Sequence, residues 1–314
     1  MTLEELLKDA TAGDPITGLK WTRKTPRKLS RALRRLGFKV GRTTVARLIR
    51  GLGYTLRSNR KRLSRKQDSR RDRQMQYIAR QQREFLKAGD PVLSVDTKKK
   101  ELIGRFKNPG RTLRQQPLDV LDTDFPSDAE GKAIPYGIYD LQRNAGYMVV
   151  GVSHETAEFA VAAIRRWWLE IGRIDYTGHP RLLIQADGGG ANRYDSWLWK
   201  AELQALTDEF NLTILVTHFP TGASKWNPIE HRMFAPISKN WAGQPLVSYE
   251  TMLKFIRTTR TETGFRCKAC LDTSVYETGR KLTAEEKALI NLRPRRIFSE
   301  WNYMIRPHNS SSEK

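Results

Sequence analysis

Residues 181–192 read RLLIQADGGGAN. Leu182, Leu183 and Ile184 form a short unbroken apolar run, the pattern of a strand buried on both faces. Asp187 stands near its end, ahead of three glycines. Residues 91–101, PVLSVDTKKKE, repeat the arrangement: Val92, Leu93 and Val95 make a short buried strand, and Asp96 lies at its end. Between the two, residues 136–141 (YGIYDL) and 146–152 (GYMVVGV) read as strands joined by a short turn around Arg143 and Asn144. A helix rich in Ala and Trp follows over residues 157–171, and another over residues 195–210. LTILVTHF (212–219) is a fifth strand, and NPIEHRMFAPI (227–237) begins a further helix with Glu230 in its first turn. This order, a hairpin leading into strand–helix alternation, gives an α/β fold with a mixed sheet and helices packed on it.

Ligands of α/β sheets collect outside the carboxyl ends of strands. Asp96 and Asp187 both stand there, and Glu230 can reach the same place from the adjoining helix. Carboxylates packed together repel, and one or more stays protonated unless a cation joins them. Mg²⁺ takes hard oxygen ligands and leaves positions for substrate phosphates. Two such ions about 3.5–4 Å apart suit an in-line phosphoryl displacement. Each acid also has a plain structural reading. Asp before Gly is a common turn, Glu in a first helical turn is favoured by the helix dipole, and Asp96 can cap a loop. Their joint placement is what favours a metal site.

The chain of 314 residues has a formal net charge of +22. Residues 15–67 hold 18 Lys and Arg and no Asp or Glu. Such a tract suits polyphosphate, since each phosphate contact releases counterions. An anionic membrane surface is the alternative, but the tract lacks a long amphipathic helix with an aromatic apolar face. No apolar run is long enough to span a bilayer, and the N-terminus lacks a secretory h-region. Two cysteines, Cys267 and Cys270, fit a reducing compartment. These features predict a cytoplasmic nucleic-acid-binding protein.

Within the basic head, PRKLSRALRRL (26–36) places Leu29, Ala32, Leu33 and Leu36 on one helical stripe. Pro26 suits its first turn and Gly37 its end. After the turn FKVG, a second stripe runs through Val45, Leu48, Ile49 and Leu52, with Thr43 or Thr44 as cap and Gly51 and Gly53 as close. Two short helices and a turn are a helix-turn-helix pattern. The second helix would then present Arg42, Thr43, Thr44, Arg47 and Arg50 to DNA; a plain helical hairpin with solvated bases is the bland reading. Residues 54–73, which include Arg60, Lys61 and Arg62, look like a linker tracking a phosphate backbone, and a helix over residues 70–87 connects to the next domain.

SVDTKKKE, KAIPYGIYD, TAEFAVAAIRRWW, LLIQADGGGAN and HFPTGASKWNPIEHRMF together resemble the Rhodopirellula-type DDE transposases of bacterial insertion sequences, relatives of the mariner-like transposases. The resemblance covers residues 26–307. It implies a ribonuclease-H-like catalytic fold and a D-D-E metal triad of Asp96, Asp187 and Glu230, spaced by 91 and then 43 residues. The second gap is longer than in mariner-like relatives. The implied cofactor is Mg²⁺, with Mn²⁺ able to substitute and two ions bound. The implied reaction has water attack a phosphodiester at the element's end, after which the freed 3′-hydroxyl attacks target DNA by direct transesterification. The implied partners are transposon terminal repeats, target DNA and at least one more copy of the chain, in a bacterial, nucleoid-associated setting. Relatives often carry a further helix-turn-helix, whereas only residues 1–25 precede the first helix here, so the chain is expected to start late.

The resulting division is a basic helix-turn-helix domain and linker (1–67), a connecting helix (68–90), a catalytic domain (91–260) and a C-terminal tail packed on the core (261–314), ending in a disordered SSSEK. Lys98, Lys225, His231 and Arg232 are candidate phosphate contacts beside the triad. Cys267-Lys-Ala-Cys270 is half of a zinc pattern with no second half, and reads as plain thiols. DGGGAN lacks the spacing of a nucleotide loop. Trp167, Trp168, Trp197 and Trp199 read as core. His154, His179, His218 and His231 are scattered, and each taken alone reads as structural, with His218 and His231 placed where they can lie near the site. Residues 107–135 read as an irregular insertion, a loop or lid. The rival readings are an inactive or truncated DNA-binding remnant of a transposase and a metal-dependent nuclease.

Overall fold

The computed structural model describes residues 11–13, 20–22, 25–56, 69–223 and 226–308. The chain divides into two units, Met1–Leu63 and Ser64–Lys314. Among the described residues no helix is long and apolar enough to cross a membrane.

In the first unit, β1 (Thr11–Gly13) pairs antiparallel with β2 (Lys20–Thr22), an element the sequence patterns did not reveal. Helices α1 (Pro26–Arg35) and α2 (Arg42–Gly51) follow. Thr25 caps α1 by accepting the Lys28 N–H, and Pro26 fills the first helical position, where no donor is needed. Gly37 ends it at φ +89°, a conformation that L side chains resist. Leu29, Leu33 and Val45 form a small core with Val40 and Ile49 against it. The Ser30 hydroxyl donates to the Val40 carbonyl at 2.8 Å and fixes the turn. One expectation fails here. The cap of α2 is Gly41, in extended conformation and without a side-chain bond, so Thr43 and Thr44 lie inside the first turn. Arg42, Thr43, Arg47 and Arg50 are exposed and Thr44 half-buried. Arg60, Lys61 and Arg62 fall outside the described residues.

The second unit opens with α3 (Arg71–Ala88), closed by Gly89 in the left-handed conformation. Its sheet contains β3 (Val92–Thr97), β4 (Glu101–Ile103), β5 (Gly131–Asp140), β6 (Ala145–Gly151), β7 (Arg181–Ala186), β8 (Thr213–His218), β9 (Arg266–Asp272), β10 (Leu292–Pro294) and β11 (Asn302–Ile305). The order across the sheet is β10-β11-β8-β7-β3-β5-β6-β9, with β4 paired to β5. β3, β5 and β6 run antiparallel in sequence, while β7 and β8 run parallel to β3. The central five strands thus lie in the order third, second, first, fourth, fifth, the ribonuclease-H-like mixed sheet that the resemblance implied.

One face of the sheet packs under α4 (Ala157–Trp167) and α5 (Trp197–Phe210), with Trp167 and Trp199 buried among Tyr136, Ile138, Ile184 and Val216. On the other face Phe85 of α3 covers Val92, Leu183 and Leu215. Beside it, Ile229, Met233, Phe234 and Ile237 pack with α7 (Tyr249–Thr258) over Tyr139, Met148 and Val150. Trp197 departs from the core expectation: it is exposed, with the Lys200 ammonium 4.9 Å over its ring.

Two segments read as single helices contain wider turns. The helix from Ala157 passes through a π-helical turn at Trp168–Gly172, and the segment after Pro228 does so at Glu230–Phe234 before α6 (Ala235–Asn240). Pro236 explains the second: its ring would clash with the carbonyl four residues back, and a widened turn relieves that contact. The C-terminal region is also not a tail packed on the core. It supplies β9 at one edge of the sheet and, after the short helix α8 (Ala284–Ala288), β10 and β11 at the other. The SSSEK end falls outside the described residues. The insertion is shorter than expected, because β5 already begins at Gly131. Pro135 is tolerated in β5 because β3 has ended there: Tyr136 is the last residue paired with it.

Gly137 lets the 227–237 segment approach the sheet. A Cβ there would lie 2.4 Å from the Phe234 ring and 3.0 Å from Ile229. Gly137→Ala is therefore expected to overpack this contact and cost about 1–3 kcal/mol in urea unfolding. Unchanged stability would mean that the segment is free to move away.

Candidate active site

Asp96 is the second-to-last residue of β3 and is paired across the sheet with Gly137. Its Oδ1 accepts the Thr97 N–H at 2.8 Å, and its Oδ2 accepts from Asn227 Nδ2 at 3.4 Å. Asn227 is fully buried, and its Oδ1 accepts from the Ser94 hydroxyl. Ser94 Oγ in turn accepts the Ile229 N–H at 3.3 Å. The first turn of the Glu230 segment is thereby bonded to β3, two residues before Asp96. Glu230 emerges from this anchor half-exposed. Asp187 follows β7, the parallel neighbour of β3, and its Oδ1 accepts the Gly189 N–H at 3.2 Å.

The three acids feel one another. Burial, then Asp187 and Glu230, push the Asp96 carboxyl up to about 8. Burial also raises Asp187 and Glu230 above the usual carboxylate range. Among the described residues no three His, Cys, Asp or Glu groups are already gathered around one point. The donor set, three carboxylates with unbalanced negative charge at a sheet edge, fits a hard divalent cation.

The structure adds Glu155 and Tyr136, which the sequence reading passed over, and sets His218, already noted in the sequence, beside Asp187. Glu155 is a fourth acid at this edge, close enough to raise both Asp96 and Asp187. Its carboxylate pairs with Lys100 Nζ at 2.8 Å, and a Cβ on Gly190 would lie 2.7 Å from it. β6 runs parallel to β3, so Glu155, which follows β6, obeys the same strand-end rule that found Asp96 and Asp187. His218 ends β8, fully buried, with Nδ1 3.1 Å from the Asp187 carbonyl. That carbonyl only accepts, so Nδ1 carries the proton and Nε2 accepts from the Tyr303 hydroxyl, itself bonded by Trp199 Nε1. Burial depresses His218 to about 4, so the ring is a neutral brace for the Asp187 backbone. Tyr136, buried beneath Asp96 and Asp187, donates to Asn192 at 2.8 Å and holds the glycine loop.

Among the candidate phosphate contacts, His231 and Arg232 are exposed beside Glu230. Lys98 is a correction. It is buried, pairs with Glu101 at 2.7 Å and lies 4.5 Å over the Trp241 ring, so it is committed inside the protein and does not face DNA. Lys225 falls outside the described residues. The two cysteines are free thiols. Three residues apart in a strand, they point to opposite faces, Cys267 into one core and Cys270 beside the other, and so do not form half of a zinc site.

An acid whose pKa rises on folding stabilises the fold only while it keeps its proton. The contribution of Asp96 is therefore lost as pH climbs from the ordinary carboxylate range to about 8. In chelator, the melting temperature should fall across that window, Asp96→Asn should flatten the fall, and Mg²⁺ should raise melting more at pH 8 than at pH 6. Parallel melting curves for the wild type and the Asn variant would contradict this.

The Rhodopirellula transposase DDE domain model matches residues 2–307. No curated protein matches the chain. Among solved structures, the chain is similar to a Mos1 transposase paired-end complex with left transposon end, at 15% identity over 81% of this chain and 68% of that one, with a TM-score of 0.42. It is also similar to the Mos1 mariner paired-end complex with Mn, at 17% identity, 81% and 68% coverage and a TM-score of 0.44. The Mos1 strand transfer complex gives 17% identity, 81% and 67% coverage and a TM-score of 0.42. The family match is of a different order, since it runs through both units to the last strand, and on that ground the chain belongs to the Rhodopirellula transposase DDE domain family.

Proposed function

We propose that this protein is an active DNA transposase, which cuts DNA at insertion-sequence ends and joins those ends to target DNA by divalent-metal-dependent phosphoryl transfer. The reading is supported by Asp96, Asp187 and Glu230 standing on three different elements, near enough for Asp187 and Glu230 to raise the Asp96 carboxyl, in a chain of the DDE family. Two Mg²⁺ ions, or Mn²⁺ in their place, held by these three residues would supply activation of the attacking oxygen and stabilisation of the leaving one.

The chain's own residues do the positioning. The Thr97 N–H and Asn227 orient the Asp96 carboxylate. The Gly189 N–H orients that of Asp187, and His218 braces its backbone. The bond from Ile229 N–H to Ser94 fixes the turn from which Glu230 reaches inward. His231 and Arg232, exposed on that turn, meet DNA phosphates, as do Arg42, Thr43, Arg47 and Arg50 on the exposed face of α2. Joining two ends calls for at least two copies of the chain. Each transesterification exchanges one phosphodiester for another, so no high-energy cofactor is consumed.

The test is nicking of supercoiled plasmid by the full chain in Mg²⁺ or Mn²⁺. Wild type should nick. Asp187→Asn should lose at least about 100-fold while still binding DNA, the loss expected when charge stabilisation is removed from the transition state. Nicking that survives in Asp187→Asn would place the chemistry elsewhere. Tight binding with no nicking by wild type would reduce the protein to a DNA-binding remnant.

A further inference from the structure

A cavity of about 650 Å³ lies outside the triad, between α3 and the segment that follows β10. Its walls carry four guanidinium groups, from Arg73, Arg80, Arg295 and Arg296, around Tyr77. Among the described residues Arg80 alone of the four has a carboxylate neighbour, Glu84 at 3.8 Å. Two of the others meet neutral groups. Arg295 Nε donates to the Tyr77 hydroxyl at 3.2 Å, and Arg73 lies 5.7 Å over the Phe298 ring. Arg80 also stacks 5.4 Å over Tyr77. Guanidinium groups oriented by aromatic rings and lacking acids are preorganised for an external anion.

The cavity rests on rigid elements. The buried Gln74 of α3 donates to the His218 carbonyl at 2.8 Å and to Asn302 Oδ1 at 2.9 Å. Strand register fixes its position relative to the triad. Pro294 pairs with Tyr303, Tyr303 with Val216, and Val216 with Ile184. β10 runs parallel to β8, so Arg295 and Arg296 leave the sheet at the same edge as Asp187. β10 is three strands from β7, about 14 Å at the usual strand spacing.

We propose that this cavity holds the phosphodiester backbone of duplex DNA, roughly four base-pair steps from the bond presented to the triad, at 3.4 Å per phosphate along one strand. Two features select a polyanion over a single small anion. Arg73 and Arg80 are seven residues apart on one helix, about 10.5 Å along its axis, wider than one phosphate. Arg73, Arg80 and Arg296 are also exposed. The proposal takes its ligand from the DNA-handling reading above and uses none of the triad's chemistry.

The experiment is a salt titration of full-chain binding to a mixed-sequence duplex, read by fluorescence anisotropy in chelator. Arg73→Gln with Arg296→Gln should lower the slope of log K against log salt by about 1.8, two phosphate contacts at about 0.9 each. A control removing the same charge elsewhere, Lys254→Gln with Lys281→Gln, should leave the slope at the wild-type value. Arg296→Gln alone, expected to lower it by about 0.9, covers the event that the pair impairs folding. Equal slopes for the cavity variant and the control would overturn the proposal. So would a cavity that binds inorganic phosphate while duplex affinity is unchanged by its loss. Because no cleavage is read, failure here leaves the transposase reading standing, and loss of nicking in Asp187→Asn leaves this slope unaffected.

Discussion

The Asn227 side chain joins the helix that carries Glu230 to the strand that carries Asp96. It is fully buried, accepts from Ser94 and donates toward Asp96, while Ser94 receives the N–H of Ile229. A buried polar group deprived of its partner costs about 1–3 kcal/mol, so this small network has few alternatives. It fixes where the helix starts, and the start fixes where the third carboxylate stands. Gly137 makes the same approach possible from below, by leaving room for Phe234 and Ile229. The widened turn at Glu230–Phe234 accommodates Pro236 and sets the angle at which Glu230 leaves the backbone.

The remainder of the unit brings acids to one edge and keeps them there. Parallel β3, β7 and β8, with β6 running the same way, place Asp96, Asp187, His218 and Glu155 at the same end of the sheet. The site is costly in isolation, and the raised Asp96 carboxyl expresses that cost. Cations at its margin are already spoken for: Lys98 by Glu101 and Lys100 by Glu155. Within the same unit His231 and Arg232, next to Glu230, are exposed.

Much of this was legible in the sequence, for identifiable reasons. Short unbroken apolar runs ending in Asp marked β3 and β7, because strands buried on both faces have no alternation to obscure them. Two helical stripes marked the head's core through Leu29, Leu33 and Val45, although their outer members Leu36, Leu48 and Leu52 are exposed, and the resemblance tied Glu230 to the other two acids. What escaped was tertiary in origin. β9, β10 and β11 are short and mixed in polarity, and become strands only because β6 and β8 offer open edges. Glu155 was missed since it sits four residues past its strand. Burial of Lys98 follows from Glu101 and Trp241, a partner pair that spacing alone does not reveal. Gly41 displaced the threonines as the cap of α2 through backbone conformation.

The central claim is that the Asn227 anchor delivers Glu230 to the same cations as Asp96 and Asp187. Anomalous diffraction from crystals of the full chain grown with Mn²⁺ tests it most directly. The account predicts anomalous peaks at the carboxyl edge of the sheet, ligated by Asp96 together with Asp187 and Glu230. A peak held by Asp96 and Asp187 with Glu230 turned outward, or ions bound only elsewhere, would contradict it.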